Sequence, residues 1–272
     1  MLNIIHSDIF RLRKNKTIRY AAIGAMAVVL LAGLLQFLVA NNIWDMGNEA
    51  VYLGIMPIAQ NDQLPDNAAE FASYFLGIGV LPFFVLIFIV AIIGADYSHG
   101  TLQNTLAFET NRRVVYIAKF VSGVLCSMVL TIACIIFSWI AGLALFGFGG
   151  FDWEYFERLV YSILLLLPVY MGLVGFGNCI VAVTRKTSAT IAVYLLSIVL
   201  LATVIQSITT VFPASGWLAF LDPVTACKTI SAYWLQSAGY TVLMIFIWLA
   251  FAVITTIIGL LRYMNEDITK TN

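Results

Sequence analysis

Charge is what this chain lacks most. Asp, Glu, Lys and Arg make up 10% of its 272 residues, where a soluble domain carries about 25%. A chain of this length cannot surround a water-facing core with so few ions, so an ordinary soluble domain is excluded. Histidine is almost missing, with only His6 and His99, too few for a histidine metal site. Four cysteines, Cys126, Cys134, Cys179 and Cys227, offer no disulfide framework, because three of them fall inside apolar runs. No G-x-x-x-x-G-K-[ST] phosphate loop occurs, nor H-E-x-x-H, nor G-x-S-x-G. The apolar runs hold no ionisable residue at their centres, where proton- and sodium-driven carriers usually keep one. Membrane hydrolases need catalytic groups at the site of chemistry, and no such constellation is present.

What is present is apolar sequence in long blocks. Hydrophobic residues make up 62% of the chain and the mean hydropathy is +0.97. Six blocks are long enough to cross a bilayer: 20–40, 72–95, 120–148, 159–183, 188–211 and 240–261. These define an all-α membrane protein, a single transmembrane domain over 1–272. The first block follows Arg11, Arg13, Lys14, Lys16 and Arg19 like a signal peptide. At about 21 residues it exceeds the usual 7–15-residue signal core, so a retained span is expected. Gly172, Gly175 and Gly177 lack a preceding strand and read as close helix packing. Pro168 and Pro82 are expected to bend their spans.

The net charge of zero hides a strong asymmetry. Six spans place both termini on one side with the loop 96–119 and the turn 184–187. That side holds 12 of the 14 basic residues, leaving Arg158 and Lys228 opposite. The positive-inside rule makes it the cytoplasmic side. The other side carries nine acidic residues: Asp45, Glu49, Asp62, Asp66, Glu70, Asp152, Glu154, Glu157 and Asp222.

Three polar or aromatic segments stand out. In residues 1–18, Leu2, Ile5, Ile9 and Leu12 share one helix face, with Asp8, Arg11 and Lys14 on others. This is an amphipathic helix in the membrane interface, either a topology anchor or a collar that moves the first span. The loop 96–119 has mixed charge and a short helical pattern from Gly100-Thr101-Leu102, with Leu102 and Leu106 at i, i+4. The loop 212–239 holds Pro213, Trp217, Phe220, Pro223, Tyr233 and Trp234 and is too apolar for a solvated linker. An interfacial or re-entrant helical hairpin fits it. Its aromatics are either a membrane anchoring belt or contacts for a lipophilic substrate.

Together these features describe a transport body without an engine. The sequence resembles the permease subunits of bacterial ABC type-2 exporters, most of all those of lantibiotic-immunity and bacitracin-resistance systems. The resemblance runs along the whole chain and is most specific at Asp96, Gly100-Thr101-Leu102, Arg112, Tyr116 and Lys119. It implies that 96–119 forms a cytoplasmic coupling helix on a separate ATPase subunit, which would carry ATP and Mg; this chain itself would hold no cofactor. Leu102, Leu106 and Phe108 would enter a groove on that subunit, and Arg112 and Lys119 would hold the start of the third span at the membrane surface. The segment 212–233 matches the family's extracellular re-entrant element before the last span, with Trp217, Phe220, Tyr233 and Trp234 as substrate-side candidates. The implied partners are the ATPase, a second permease copy or a homologous permease, and the bilayer, with no nucleic acid. The implied substrate is amphipathic or lipophilic, an antimicrobial peptide being the leading candidate, and the chain would not be an enzyme. The competing expectation is an accessory or sensory membrane protein that binds a peptide or lipid without transport.

The charge map is directly testable. Reporter fusions after Lys119 and after Arg262 should read cytoplasmic, and one within 61–66 should read external. A cytoplasmic signal from 61–66 would overturn the topology.

Overall fold

The computed structural model describes residues 2–41, 43, 51–53, 56–59, 67–68, 70–72, 81–94, 96, 111–149, 153–231 and 238–265. Its helices in chain order are α1 (Leu2–Lys14), α2 (Lys16–Ala40), α3 (Leu81–Ile89), α4 (Arg112–Leu145), α5 (Trp153–Thr184), α6 (Thr187–Val211), α7 (Pro223–Ser231) and α8 (Ala238–Met264). A π-helical turn, Val90–Gly94, continues α3, and a 3-10 segment, Pro213–Leu221, precedes α7.

Five helical stretches are long and apolar enough to cross a membrane: Ile18–Ala40, Arg112–Leu145, Phe156–Thr184, Thr187–Val211 and Ala238–Met264. The protein is membrane-embedded. The expected second span, 72–95, is described as helix only over Leu81–Ile89 and the π turn; residues 73–80 and 95 lie outside the described residues.

The fold is helical, as expected, with one short exception among the described residues. Val51–Leu53 and Met56–Ala59 pair as an antiparallel hairpin, β1 and β2, with Tyr52 opposite Pro57 and a register irregularity at Val51/Tyr52. The V-Y-L run is rich in strand-forming side chains, a local preference that its acidic neighbours conceal.

The third span also starts earlier than expected. Residues 112–119 are not loop but the first two turns of α4. Asn111 caps the helix, its side-chain oxygen accepting from the Arg113 backbone N–H at 3.1 Å. Arg112, Arg113 and Lys119 disguise a helical register that buries Val115, Tyr116 and Lys119.

Helix α5 is the axis of the bundle, packing against α3, α4, α6, α7 and α8. Its residues Leu166, Val169, Tyr170, Leu173 and Val174 are almost fully enclosed. Small residues let its neighbours approach. A Cβ added at Gly172 would collide with the Trp248 ring of α8, and one at Gly175 would lie 2.8 Å from Thr255 Oγ1 and 3.3 Å from the Ala252 carbonyl oxygen. At Gly177 the obstacle is Ile89 of α3. The three glycines are packing positions, as expected from sequence. Helix α5 is assigned as one continuous helix through Pro168.

Helix α4 faces α5 with hydroxyls that bond to their own helix. Ser127 donates to the Gly123 carbonyl at 2.8 Å and Thr131 to the Ser127 carbonyl at 2.9 Å. Thr131 also shares a short hydrogen bond with Tyr170. The hydroxyls of Ser127 and Thr131 are thus buried inside an apolar helix with hydrogen bonds made.

The 3-10 segment lies along α6, and α7 follows at buried Asp222. Asp222 is not part of an acidic surface as its position in an external loop suggested. Its carboxylate caps α7, accepting from the backbone N–H groups of Val224 at 3.3 Å and Thr225 at 3.0 Å. Cys227, expected in the same loop, is fully enclosed, and all four cysteines are free thiols.

Replacing Gly175 by Leu should wedge α5 from α8, because its neighbours include a main-chain carbonyl that cannot rotate away. Overpacking of this kind costs about 1–3 kcal/mol. Thermal unfolding in detergent should show a lower midpoint for Gly175→Leu and little change for Gly24→Ala, where a Cβ meets open space.

Candidate functional site

Four charged side chains meet where α1 crosses the start of α4. Lys119 Nζ lies 2.5 Å from Asp8 Oδ1 and 2.8 Å from Asp96 Oδ2. Arg11 Nη1 lies 2.8 Å from Asp96 Oδ1. The order Arg11, Asp96, Lys119, Asp8 alternates in sign, and the four charges sum to zero. The side chains of Asp8, Asp96 and Lys119 are 3%, 1% and 5% exposed, while Arg11 is 41% exposed. The chain of ions therefore runs from a solvated end inward.

Three elements deliver these residues. Asp8 and Arg11 sit three apart on α1 and share a face with Ile4. Asp96 follows the π turn that ends α3. Lys119 projects from the second turn of α4, next to Ser122, whose hydroxyl is 3.4 Å from Asp8 Oδ2. Charges removed from water are tolerated only with close partners, and here each buried ion has one within 2.8 Å. Burial, the larger influence, pushes the Asp8 carboxyl above its ordinary range, while the Lys119 ammonium pulls it down.

The face of α1 turned to the bundle thus carries ions beside Ile4. Ile9 and Phe10 are exposed, with Lys14 Nζ lying 4.5 Å from the Phe10 ring centroid. The start of α4 is also held from the opposite side. Arg112 Nη1 donates to the Met264 carbonyl at 3.0 Å, and the rings of Tyr116 and Tyr263 are 5.5 Å apart. Between them, beside Asp96 and Lys119, is a water-sized cavity of about 10 Å³. The buried Asn178 amide and Tyr116 hydroxyl line it, neither with a hydrogen-bond partner among the described residues.

Of the residues expected from sequence to act at the coupling loop, Asp96 and Lys119 come together and Arg112 joins the neighbouring clamp. Gly100, Thr101, Leu102, Leu106 and Phe108 lie outside the described residues. The Lys119 ammonium is turned inward between two carboxylates. At the other candidate site, Trp217 is 50% exposed on the 3-10 segment. Phe220 is buried, its ring 5.9 Å from Tyr240 and its carbonyl accepting from Trp248 Nε1 at 2.9 Å. Tyr233 and Trp234 lie outside the described residues.

Sequence reading missed Asp8, Arg11 and Asn178. The only usable signal was Asp8, a lone acid in a basic helix of a chain poor in charge. Among the described residues no group of three His, Cys, Asp or Glu side chains could hold a metal ion. The site is built of ion pairs and one hydroxyl contact. Its geometry suits mechanical connection: it ties α1, the end of α3 and the start of α4 into one unit.

Removing the shared cation should be costly, because both aspartates then lose their central partner. Lys119→Met is expected to lose about 3–5 kcal/mol, the usual penalty for breaking a buried pair. Adding Asp8→Asn to Lys119→Met should recover part of that loss. A double-mutant cycle on thermal unfolding measures it, and strict additivity of the two changes would show that the pair is not coupled.

No curated protein sequence matches the chain. The profile of the family described as protein of unknown function DUF2705 matches residues 25–269, which include Asp96 and Lys119 but not Asp8 and Arg11, and the chain belongs to that family.

Proposed function

We propose that this chain is the permease subunit of an ATP-driven exporter of the ABC type-2 class, a multi-pass protein of the bacterial cell membrane. One observation carries the reading: Asp96 and Lys119 bracket the segment 97–118 and are joined by an ion pair at 2.8 Å. Residues 97–111 join Asp96 to α4, whose second turn carries Lys119, so the ion pair ties together the elements on either side of them. Through Asp8 the same pair holds α1. A force applied to the segment by a partner would move α1, the end of α3 and the start of α4 together, as coupling to an ATPase requires.

In this reading the second span completes a set of six, and both termini face the cytoplasm. Leu102, Leu106 and Phe108 contact the ATPase, which binds ATP and Mg. Two permease copies, or this chain and a homologue, enclose the pathway. The segment 212–233 forms a re-entrant hairpin on the external side. Its support is the Trp248–Phe220 hydrogen bond, which holds that segment against α8, and the Asp222 cap that starts α7 within it. The substrate is amphipathic or lipophilic. A cationic antimicrobial peptide suits an external surface that is rich in carboxylates, exported for self-immunity or resistance.

If an ABC ATPase gene lies beside the gene for this chain, co-expression of the two should give a complex that co-purifies and hydrolyses ATP. Leu102→Asp should insert normally yet lose most of that association, since the carboxylate would be desolvated at a subunit contact. If Leu102→Asp leaves binding and ATP turnover unchanged, the segment is not the contact. If no ATPase associates, the protein is an accessory or sensory membrane protein.

A further inference from the structure

A cavity of about 350 Å³ lies between α6 and α8. Leu173 and Phe176 of α5 line it, as does Leu221 at the end of the 3-10 segment. Ser197 and Leu201 line it from α6, Trp248 and Phe251 from α8. Its size falls within the roughly 300–1,000 Å³ of small-molecule sites.

Three observations identify what fills it. The first is chemical. Only two of these side chains carry a polar group, and both groups are engaged. Ser197 Oγ donates to the Val193 carbonyl at 2.6 Å, and Trp248 Nε1 to the Phe220 carbonyl at 2.9 Å. A buried water needs two to four polar partners, so water has no hold here. A void would deprive the walls of contact atoms. Hydrocarbon remains.

The second is depth. Ser197 and Leu201 stand 10 and 14 residues from the start of α6 at Thr187, about 15–21 Å along the axis. Trp248 and Phe251 stand 10 and 13 residues from the start of α8 at Ala238, about 15–20 Å. The hydrocarbon layer is about 30 Å thick, so the cavity sits at mid-height, where acyl tails end and no head group reaches.

The third is continuity with the bilayer surface. The wall residue Leu201 is itself 39% exposed, and Leu200 and Val204, next to it on α6, are exposed apolar side chains of the lipid-facing surface. The cavity therefore opens sideways into lipid.

We propose that this cavity is a binding site for the acyl chain of a bilayer phospholipid, inserted tail-first between α6 and α8. It is independent of any ATPase and of transport.

Trp248 reports on the site because it is buried from bulk lipid yet lines the cavity. The chain has six tryptophans, and replacing the other five by Phe leaves Trp248 as sole emitter. A matching protein keeps only Trp139, an exposed residue of α4, as the lipid-contact control. Each is placed in phosphatidylcholine nanodiscs with ordinary or mid-chain-brominated acyl chains. Trp248 should lose emission in the brominated bilayer to an extent comparable with Trp139. Ser197→Phe, which fills the cavity, should abolish the loss at Trp248 and leave Trp139 unaffected. Leu201→Phe serves the same purpose if Ser197→Phe does not fold. If the five-Phe background does not insert, the full chain minus Trp248→Phe gives the same quantity by subtraction. Equal Trp248 emission in brominated and ordinary bilayers, with Trp139 quenched, would overturn the proposal. So would quenching that neither plugging variant reduces.

Discussion

The alternating chain of Arg11, Asp96, Lys119 and Asp8 is the constraint around which one end of this bundle is organised. Lys119 is shared by two carboxylates from separate parts of the chain, and all three groups are withdrawn from water. No subset of them is tolerable alone, because each member is buried on the condition that the others are present. The N-terminal helix could not otherwise turn Asp8 inward while leaving Ile9 and Phe10 exposed. The ions also set the register of α4, since Lys119 must reach both partners from one rotamer.

The remainder of the bundle hangs on α5, and its neighbours approach by giving up side-chain volume. Gly172 and Gly175 admit α8, and Gly177 admits α3. The hydroxyls of Ser127 and Thr131 fold back on their own helix and let α4 lie against Tyr170. In lipid there is little hydrophobic drive between helices, so close fit and internal hydrogen bonds must supply the cohesion. The turn between α5 and α6 adds a local fastening. Arg185 takes a left-handed backbone conformation with φ 56°, and the hydroxyls of Thr184 and Thr190 meet across it at 2.8 Å.

Much of this was legible in the sequence because apolar length is a direct physical signal. A run without ions that exceeds the bilayer thickness has few alternatives, and five such runs are helices of spanning length. The role of the three glycines was equally readable, since a glycine inside an apolar helix contributes little except room. The partner of a charge is not legible. Asp8 and Lys119 are 111 residues apart, and nothing in either neighbourhood distinguishes an ion that faces water from one that faces another ion. For the same reason residues 112–119 read as loop: three cations concealed two helical turns. Asp222 and Cys227 sat in an external segment by span counting, yet packing draws both inside. The β1–β2 hairpin was hidden by its acidic surroundings.

Helix α4 is 34 residues long, about 51 Å, against a hydrocarbon layer of about 30 Å. A rod so much longer than its slab must tilt or protrude. At its Arg112 end it is pinned twice, by the aspartates through Lys119 and by the last turn of α8 through Arg112. Any change in slope must then appear mainly at its far end, where Gly142 packs against the main chain of Ala68. Membranes of different thickness would therefore set this protein to different postures, with the ionic end as fulcrum and the Leu145 end as the part that travels.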